Sequence, residues 1–168
     1  CNCDRNLSLF KDSGCGGSCV PTAGAKNYHN LLLSDTMEGL VKEHRLRRIF
    51  ATDQKTVIVA CDHGGFSGPL SGLEDPGKLM DILVSSGVDA VLTTIGIARR
   101  FADRMGKMGL ILRMDGGSSN RAVEMGTLRN QVSLEDAVRL GADAVICMGM
   151  IGYREESASL VNLCPLYT

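Results

Sequence analysis

Gly87-Val-Asp-Ala-Val-Leu92 and Gly141-Ala-Asp-Ala-Val-Ile146 are near-copies of one another, 54 positions apart in a chain of 168 residues. In each, a glycine closes an amphipathic segment and an apolar, β-branched run follows, the pattern of a helix C-cap feeding a buried strand. The segment before Gly87 starts at Asp75-Pro76, an N-cap with proline in the first turn, and carries a helical stripe at Leu79, Ile82 and Leu83 within 78–86. The segment before Gly141 starts at Ser133-Leu-Glu-Asp136, where the serine caps and the acids favour the positive end of the dipole, and continues through Ala137, Val138 and Leu140. One local solution used twice argues for a repeated βα architecture.

Working outward, four strands are predicted: Thr56–Cys61, Ala90–Ile95, Leu110–Met114 and Ala144–Met150. All are nearly continuous in apolar residues, as strands covered on both faces are. Met37-Glu-Gly-Leu-Val-Lys-Glu-His-Arg-Leu46 opens a further helix, with Ser34 and Asp35 as caps, and Glu155–Leu160 another. Four βα units fit either an open doubly wound sheet or the first half of a (β/α)8 barrel, whose complete form needs about 250 residues. Length favours the open sheet, yet neither G-x-G-x-x-G nor G-x4-G-K-[ST] occurs, and Gly116-Gly-Ser-Ser119 is the nearest approach to a phosphate loop. A polar βα turn explains that stretch as well.

Composition narrows the function classes. Eighteen Lys and Arg against nineteen Asp and Glu leave a net charge of −1, without the basic excess of a nucleic-acid-binding protein. The densest basic cluster, Arg45-Leu-Arg-Arg48, reads as a solvated helix face. No apolar run reaches the length of a membrane span. Of seven cysteines, Cys1, Cys3, Cys15 and Cys19 follow C-x-C-x11-C-x3-C, not a common zinc spacing, and Cys61, Cys147 and Cys164 are isolated. No metal is expected, and the odd count fits a reducing, cytoplasmic setting. Residues 1–36, glycine-rich and without periodicity, read as an irregular leader foreign to the domain, with Met37 as the expected natural start.

In both folds functional groups gather at the carboxyl ends of strands. That rule selects Asp62, His63, Gly64 and Gly65 after strand one, Thr93 and Thr94 at strand two, Asp115, Gly116, Gly117 and Ser118 at strand three, and Tyr153, Arg154 and Glu155 beyond strand four. An aspartate ending an apolar strand is costly to bury without a partner, so Asp62 is the leading functional residue. The plainer alternative is a carboxylate that caps its own turn; for His63 a structural hydrogen bond is expected.

The run Arg45-Leu-Arg-Arg-Ile-Phe50, Thr56-Val-Ile-Val-Ala-Cys-Asp-His-Gly64, Gly68-Pro69, Gly72-Leu-Glu-Asp-Pro76, Ala90-Val-Leu-Thr-Thr94, Leu112-Arg-Met-Asp-Gly-Gly117, Ser133-Leu-Glu-Asp-Ala-Val138 and Gly141-Ala-Asp-Ala-Val145 resembles the archaeal-type class I fructose-bisphosphate aldolase family. That family includes related ketose aldolases and the autoinducer-2 thiolase. The resemblance covers about residues 45–160. It implies a partial (β/α)8 TIM barrel made of the first four βα units, spanning 37–160, with 161–168 an atypical tail. It also implies an enzyme that joins a lysine to a phosphorylated ketose such as fructose 1,6-bisphosphate in a Schiff base, needing no cofactor. Asp62 matches the family's strand-one aspartate, implicated in proton transfer and substrate positioning; His63, Asp115, Gly116, Gly117 and Ser118 are the expected substrate contacts.

The family's lysine lies on strand six, its acid/base tyrosine on strand five and its phosphate site on the late strands. None of Lys11, Lys26, Lys42, Lys55, Lys78 and Lys107 falls in a predicted strand, and a Schiff-base amine must be desolvated or set beside another cation. This chain alone is therefore expected to be inactive, half a barrel with a truncated or frame-shifted tail. Two open sheet edges make a homo-oligomer or a complementary half-barrel the expected partner. Two alternatives remain: a non-catalytic half-barrel, either a gene fragment or an interaction module, or a small open-sheet domain that binds a phosphorylated ligand through Gly116-Gly-Ser-Ser119.

Overall fold

The computed structural model describes residues 37–68, 70–122, 126 and 128–166. The expected leader, its four cysteines, Lys11, Lys26, the caps Ser34 and Asp35, and Pro69 lie outside the described residues. Helix α1 (Met37–Ile49) is followed by β1 (Ile58–Ala60), α2 (Pro76–Ser85), β2 (Ala90–Thr93), α3 (Ile95–Phe101) and β3 (Gly109–Arg113). A short pair, β4 (Asp115–Gly116) and β5 (Arg129–Asn130), precedes α4 (Leu134–Arg139), β6 (Ala144–Ile146) and α5 (Glu156–Val161). Strands β1, β2, β3 and β6 form one parallel sheet in that order, while β4 and β5 pair antiparallel.

That order decides between the two candidate folds. A doubly wound sheet reverses its strand order and opens a ligand crevice at the reversal; here each main strand lies beside the next in sequence. Right-handed crossovers then place α2, α3 and α4 on one face of the sheet. The fold is a partial (β/α)8 barrel, four βα units long, with the inner face of a barrel on the other side.

The repeated hexapeptide has a physical cause. Gly87 and Gly141 take positive φ, +72° and +81°. The amides of Val88 and Ala142 donate back to Leu83 O at 3.3 Å and Ala137 O at 3.0 Å, the six-to-one bond of a Schellman cap. Each following aspartate then grips the neighbouring strand at both polar groups of one residue. Asp89 N donates to Val57 O at 3.1 Å and its carboxylate accepts from Val57 N at 2.8 Å. Asp143 repeats this with Leu110 O at 2.8 Å and Leu110 N at 3.0 Å. The motif thus ends a helix and sets the register of the next strand pair.

Both predicted caps are present: the Asp75 carboxylate accepts from Lys78 N at 3.0 Å and the Ser133 hydroxyl from Asp136 N at 3.1 Å. Val91, Leu110, Leu112 and Met114 pack outward against Met80, Leu83, Ala98 and Ala137. On the inner face Ala90 and Ile111 pack with Ile49 at the end of α1. The basic cluster is the solvated face expected at Arg47 and Arg48, whose side chains are 75 % and 52 % exposed, and it also anchors the helix. Arg45 donates to Ala142 O and Arg48 pairs with Asp143 at 3.2 Å, so two of its arginines clamp α1 to the second copy of the motif. A Cβ on Gly109 would stand 2.8 Å from Arg48 O, which is why the first residue of β3 is a glycine.

Three expectations about elements are corrected. The predicted second strand runs only to Thr93, because Ile95-Gly-Ile-Ala-Arg-Arg-Phe101 turns into α3; β-branched residues at its start disguise a helix whose buried residue is Ala98. The first and last strands are shorter than their apolar runs, since an edge strand has a partner on one side only. Nor are they covered on both faces: Ile58 is 43 % exposed and Ile146 is 38 % exposed.

Candidate functional site

At the carboxyl ends of β1 and β3 three charged side chains lie buried together. Arg113, the last residue of β3, donates through Nη1 to Asp62 Oδ2 at 2.9 Å and through Nε to Asp115 Oδ1. All three are at most 5 % exposed. Two carboxylates against one guanidinium leave one formal negative charge uncompensated. The second oxygen of Asp115 accepts from Met148 N at 2.9 Å, just beyond β6. One guanidinium therefore ties together the ends of β1, β3 and β6.

The register explains the convergence. Arg113 shares its side of the sheet with Ile111, which packs on the inner face, and pairs with Ile146 of β6. The guanidinium carbon sits 4.9 Å over the ring of Phe66, stacked from the loop after β1. Asp62 precedes a short 3-10 turn, His63–Gly65, and its side chain makes no cap bond there. The carboxylate that could have capped its own turn is committed to Arg113 instead.

The other predicted residues divide. His63 Nδ1 is buried with no hydrogen-bond partner, so the structural bond expected of it is not made by that nitrogen; its ring lies 5.6 Å from Phe66. Gly116 is buried where a Cβ would stand 2.7 Å from Gly65 O and 2.9 Å from Gln131 Oε1. Gly117, at φ +115°, donates its amide to Gly65 O at 3.1 Å. These glycines let the loop after β3 close upon the loop after β1, bringing Asp115 beside Asp62. Ser118 is half-buried on the same loop. Thr93 lies apart, fully buried with Oγ1 unpartnered, and Thr94 leads into α3. Tyr153, Arg154 and Glu155 follow β6 in the turn before α5.

Sequence reasoning passed over Arg113 and Phe66. The signal for Arg113 was a lone charge inside the apolar run 110–114, two residues before an aspartate. Phe66 had no signal, since a single aromatic in a glycine loop reads as filler. Also unforeseen is a polar network beside the triad: Cys147 Sγ donates to Asn130 Oδ1 at 3.3 Å, Asn130 Nδ2 donates to Asn162 O at 2.9 Å, and Asn162 Nδ2 donates to Leu128 O at 2.5 Å. Burial, then the Asp115 carboxylate, pushes the Cys147 thiol up to about 11 against the opposing pull of Arg113. Cys61 is raised by burial first and Asp62 second.

The described lysines stand away from this site. Lys42 is on α1, Lys55 is exposed before β1, Lys78 is on α2 and Lys107 lies in the turn leading to β3. Among the described residues no cluster of His, Cys, Asp and Glu has a geometry that could hold a metal ion, and no helix is long and apolar enough to cross a membrane.

Comparison with known proteins gives consistent relatives. A family model for DeoC/LacD family aldolase matches residues 56–163. A 2-amino-3,7-dideoxy-D-threo-hept-6-ulosonate synthase of Halobacterium salinarum is 38 % identical over 125 residues, 74 % of this chain and 46 % of its own length. A 3-hydroxy-5-phosphonooxypentane-2,4-dione thiolase of Yersinia pseudotuberculosis is 34 % identical over 128 residues, 74 % of this chain and 42 % of its own. Among solved structures, a Schiff-base-forming fructose-1,6-bisphosphate aldolase superposes with a TM-score of 0.58 at 31 % identity, over 73 % of this chain and 50 % of that one. An archaeal fructose-1,6-bisphosphate aldolase, solved with its catalytic lysine covalently bound to the carbinolamine intermediate, matches equally at 0.58 and 31 %, over 73 % of this chain and 49 % of that one. The chain spans less than half the length of these curated relatives.

Proposed function

The chain belongs to the DeoC/LacD aldolase family, and from that premise we propose that it serves class I aldolase chemistry on a phosphorylated ketose such as fructose 1,6-bisphosphate. In this reading a lysine amine condenses with the ketose carbonyl, releasing water, and the resulting iminium accepts the electron pair of the carbon–carbon bond as it breaks. Asp62 orients the substrate's hydroxyls and moves a proton. The observation that supports this is its carboxylate, buried at the end of β1 and held by Arg113 rather than spent on its own turn. Asp115 positions Arg113, Gly116 and Gly117 hold the two loops together, and His63 and Ser118 meet the substrate.

The amine is supplied from outside these residues. Supporting that is the placement of Lys42, Lys55, Lys78 and Lys107, none at a strand's carboxyl end. The same observation favours a second reading, in which this chain by itself is a non-catalytic half-barrel in the cytoplasm. Its exposed edge strands then pair with a second copy or a complementary half.

Two experiments test the proposal. Calorimetric titration of the chain with dihydroxyacetone phosphate should show binding that Asp62→Ala weakens about tenfold or more; equal binding by both removes Asp62 from the site. Borohydride reduction of the same mixture, read by intact mass, should give no adduct while a full-length relative is trapped. An adduct on this chain overturns the placement of the amine.

A further inference from the structure

A guanidinium carries five N–H donors in a fixed plane. In Arg113, Nε is taken by Asp115 and Nη1 by Asp62, but Nη2 is buried with no partner. Leaving such a donor unpaired costs about 1–3 kcal/mol, and orphaned buried donors in folded proteins call for an explanation. This one lies on the inner side of the sheet at its carboxyl end, where barrel enzymes bind substrate. Its side chain is not free to swing elsewhere, being held by two carboxylates and the Phe66 ring.

The charge of the cluster limits what can fill that place. With Asp62 and Asp115 flanking a single cation, the triad is formally negative. A phosphate dianion set there would face two carboxylates in a site of low dielectric. A neutral hydroxyl fits instead, because its oxygen can accept from Nη2 while its proton, or that of the adjacent hydroxyl, goes to Asp62. Resting on the aldolase reading above, we propose that Arg113 is a substrate-binding residue whose Nη2 donates to a hydroxyl oxygen of the ketose. This end of the sheet thereby selects the polyol part of the substrate and turns the phosphate away.

The test uses the whole chain, labelled with 15N-arginine, and three probes: dihydroxyacetone phosphate, acetol phosphate, which lacks its hydroxyl, and inorganic phosphate. The Arg113 guanidinium resonances should move with dihydroxyacetone phosphate and stay in place with inorganic phosphate. This measurement needs no variant and so does not depend on a substitution that folds. Dihydroxyacetone phosphate should bind about tenfold more tightly than acetol phosphate, and Arg113→Lys or Arg113→Gln should shrink that ratio to about twofold or less. If backbone amides around Gly65 and Gly116 respond while Arg113 does not, the donor is satisfied by water and the inference falls with the aldolase reading intact. An equal response to inorganic phosphate makes Arg113 a phosphate anchor and also overturns it. If none of the probes binds the native chain, the aldolase reading of this chain fails first.

Discussion

Replacing Arg113 by methionine isolates what the buried triad does for the fold. The substitution keeps an unbranched side chain of similar length but leaves Asp62 and Asp115, 3 % and 2 % exposed, without their common cation. Removing one partner from a buried ion pair costs about 3–5 kcal/mol, and loss of the cation over the Phe66 ring adds about 1 kcal/mol. Against a total stability of about 5–15 kcal/mol for a domain, the variant should lose about a third or more of its stability. The triad itself need not be stabilising relative to an apolar cluster, because both carboxylates and the guanidinium have given up hydration. The triple variant Asp62→Leu, Arg113→Met, Asp115→Asn should therefore recover most of the loss, since the amide oxygen introduced at position 115 can still accept from Met148 N. Equilibrium urea unfolding at neutral pH measures all three proteins. A loss below about 1 kcal/mol for Arg113→Met, or a triple variant no more stable than the single one, would refute the account of a paired, desolvated cluster.

Other outcomes follow from the same structure. Asp143→Ala should cost about 1.5–3 kcal/mol in unfolding experiments and Asp89→Ala only about 0.5–1 kcal/mol, since the Asp143 side chain is 4 % exposed and also holds Arg48, whereas Asp89 serves an exposed strand start; equal losses would contradict this. Gly116→Ala should destabilise by about 1–3 kcal/mol because Gly65 O stands 2.7 Å from the new methyl, while Gly64→Ala, with nothing within 4 Å, stays near native by thermal melting. Iodoacetamide at pH 8 should modify exposed Cys164 well before Cys147, whose thiol is pushed up to about 11; faster labelling of Cys147, read by peptide mass, contradicts its burial beside Asp115. Because the unfolded Cys147 thiol ionises around its ordinary 9.0 and the folded one only near 11, its contribution to stability is complete below pH 9 and is lost as pH rises toward 11. Cys147→Ser should flatten that alkaline decline in melting temperature.

What was legible in the chain was mostly local. The repeated hexapeptide announced two helix ends and two strands because glycine at positive φ and an aspartate gripping the next strand are local devices with fixed residue requirements. The Asp75 and Ser133 caps were readable for the same reason. α3 was missed because Thr93-Thr-Ile-Gly-Ile97 has the composition of a strand, and only the packing of Ala98 against the sheet makes it helical. Strand order was not legible from periodicity or spacing. The same four units suit an open sheet or a barrel segment, and while length favoured the open sheet, the family resemblance implied the barrel that the sheet order shows. Asp62 could be singled out as a carboxylate ending an apolar strand, but its partner lies 51 residues away in sequence and is fixed only by the pairing of β1, β2 and β3.

The position of that partner couples the three strand ends. The outer strands β1 and β6 are exposed at Ile58 and Ile146, and apolar cover alone does not orient the side chains at their carboxyl ends. Polar bonds do so instead, with Arg113 reaching across to Asp62 beyond β1 and Asp115 reaching to the Met148 amide beyond β6. Directional bonds fix a side chain's orientation in a way that contact area alone does not. The cluster that presents Asp62 is thus also the clamp that holds three strand ends in register. Its geometry depends only on contacts within these four βα units, so Asp62 is oriented by the sheet that carries it.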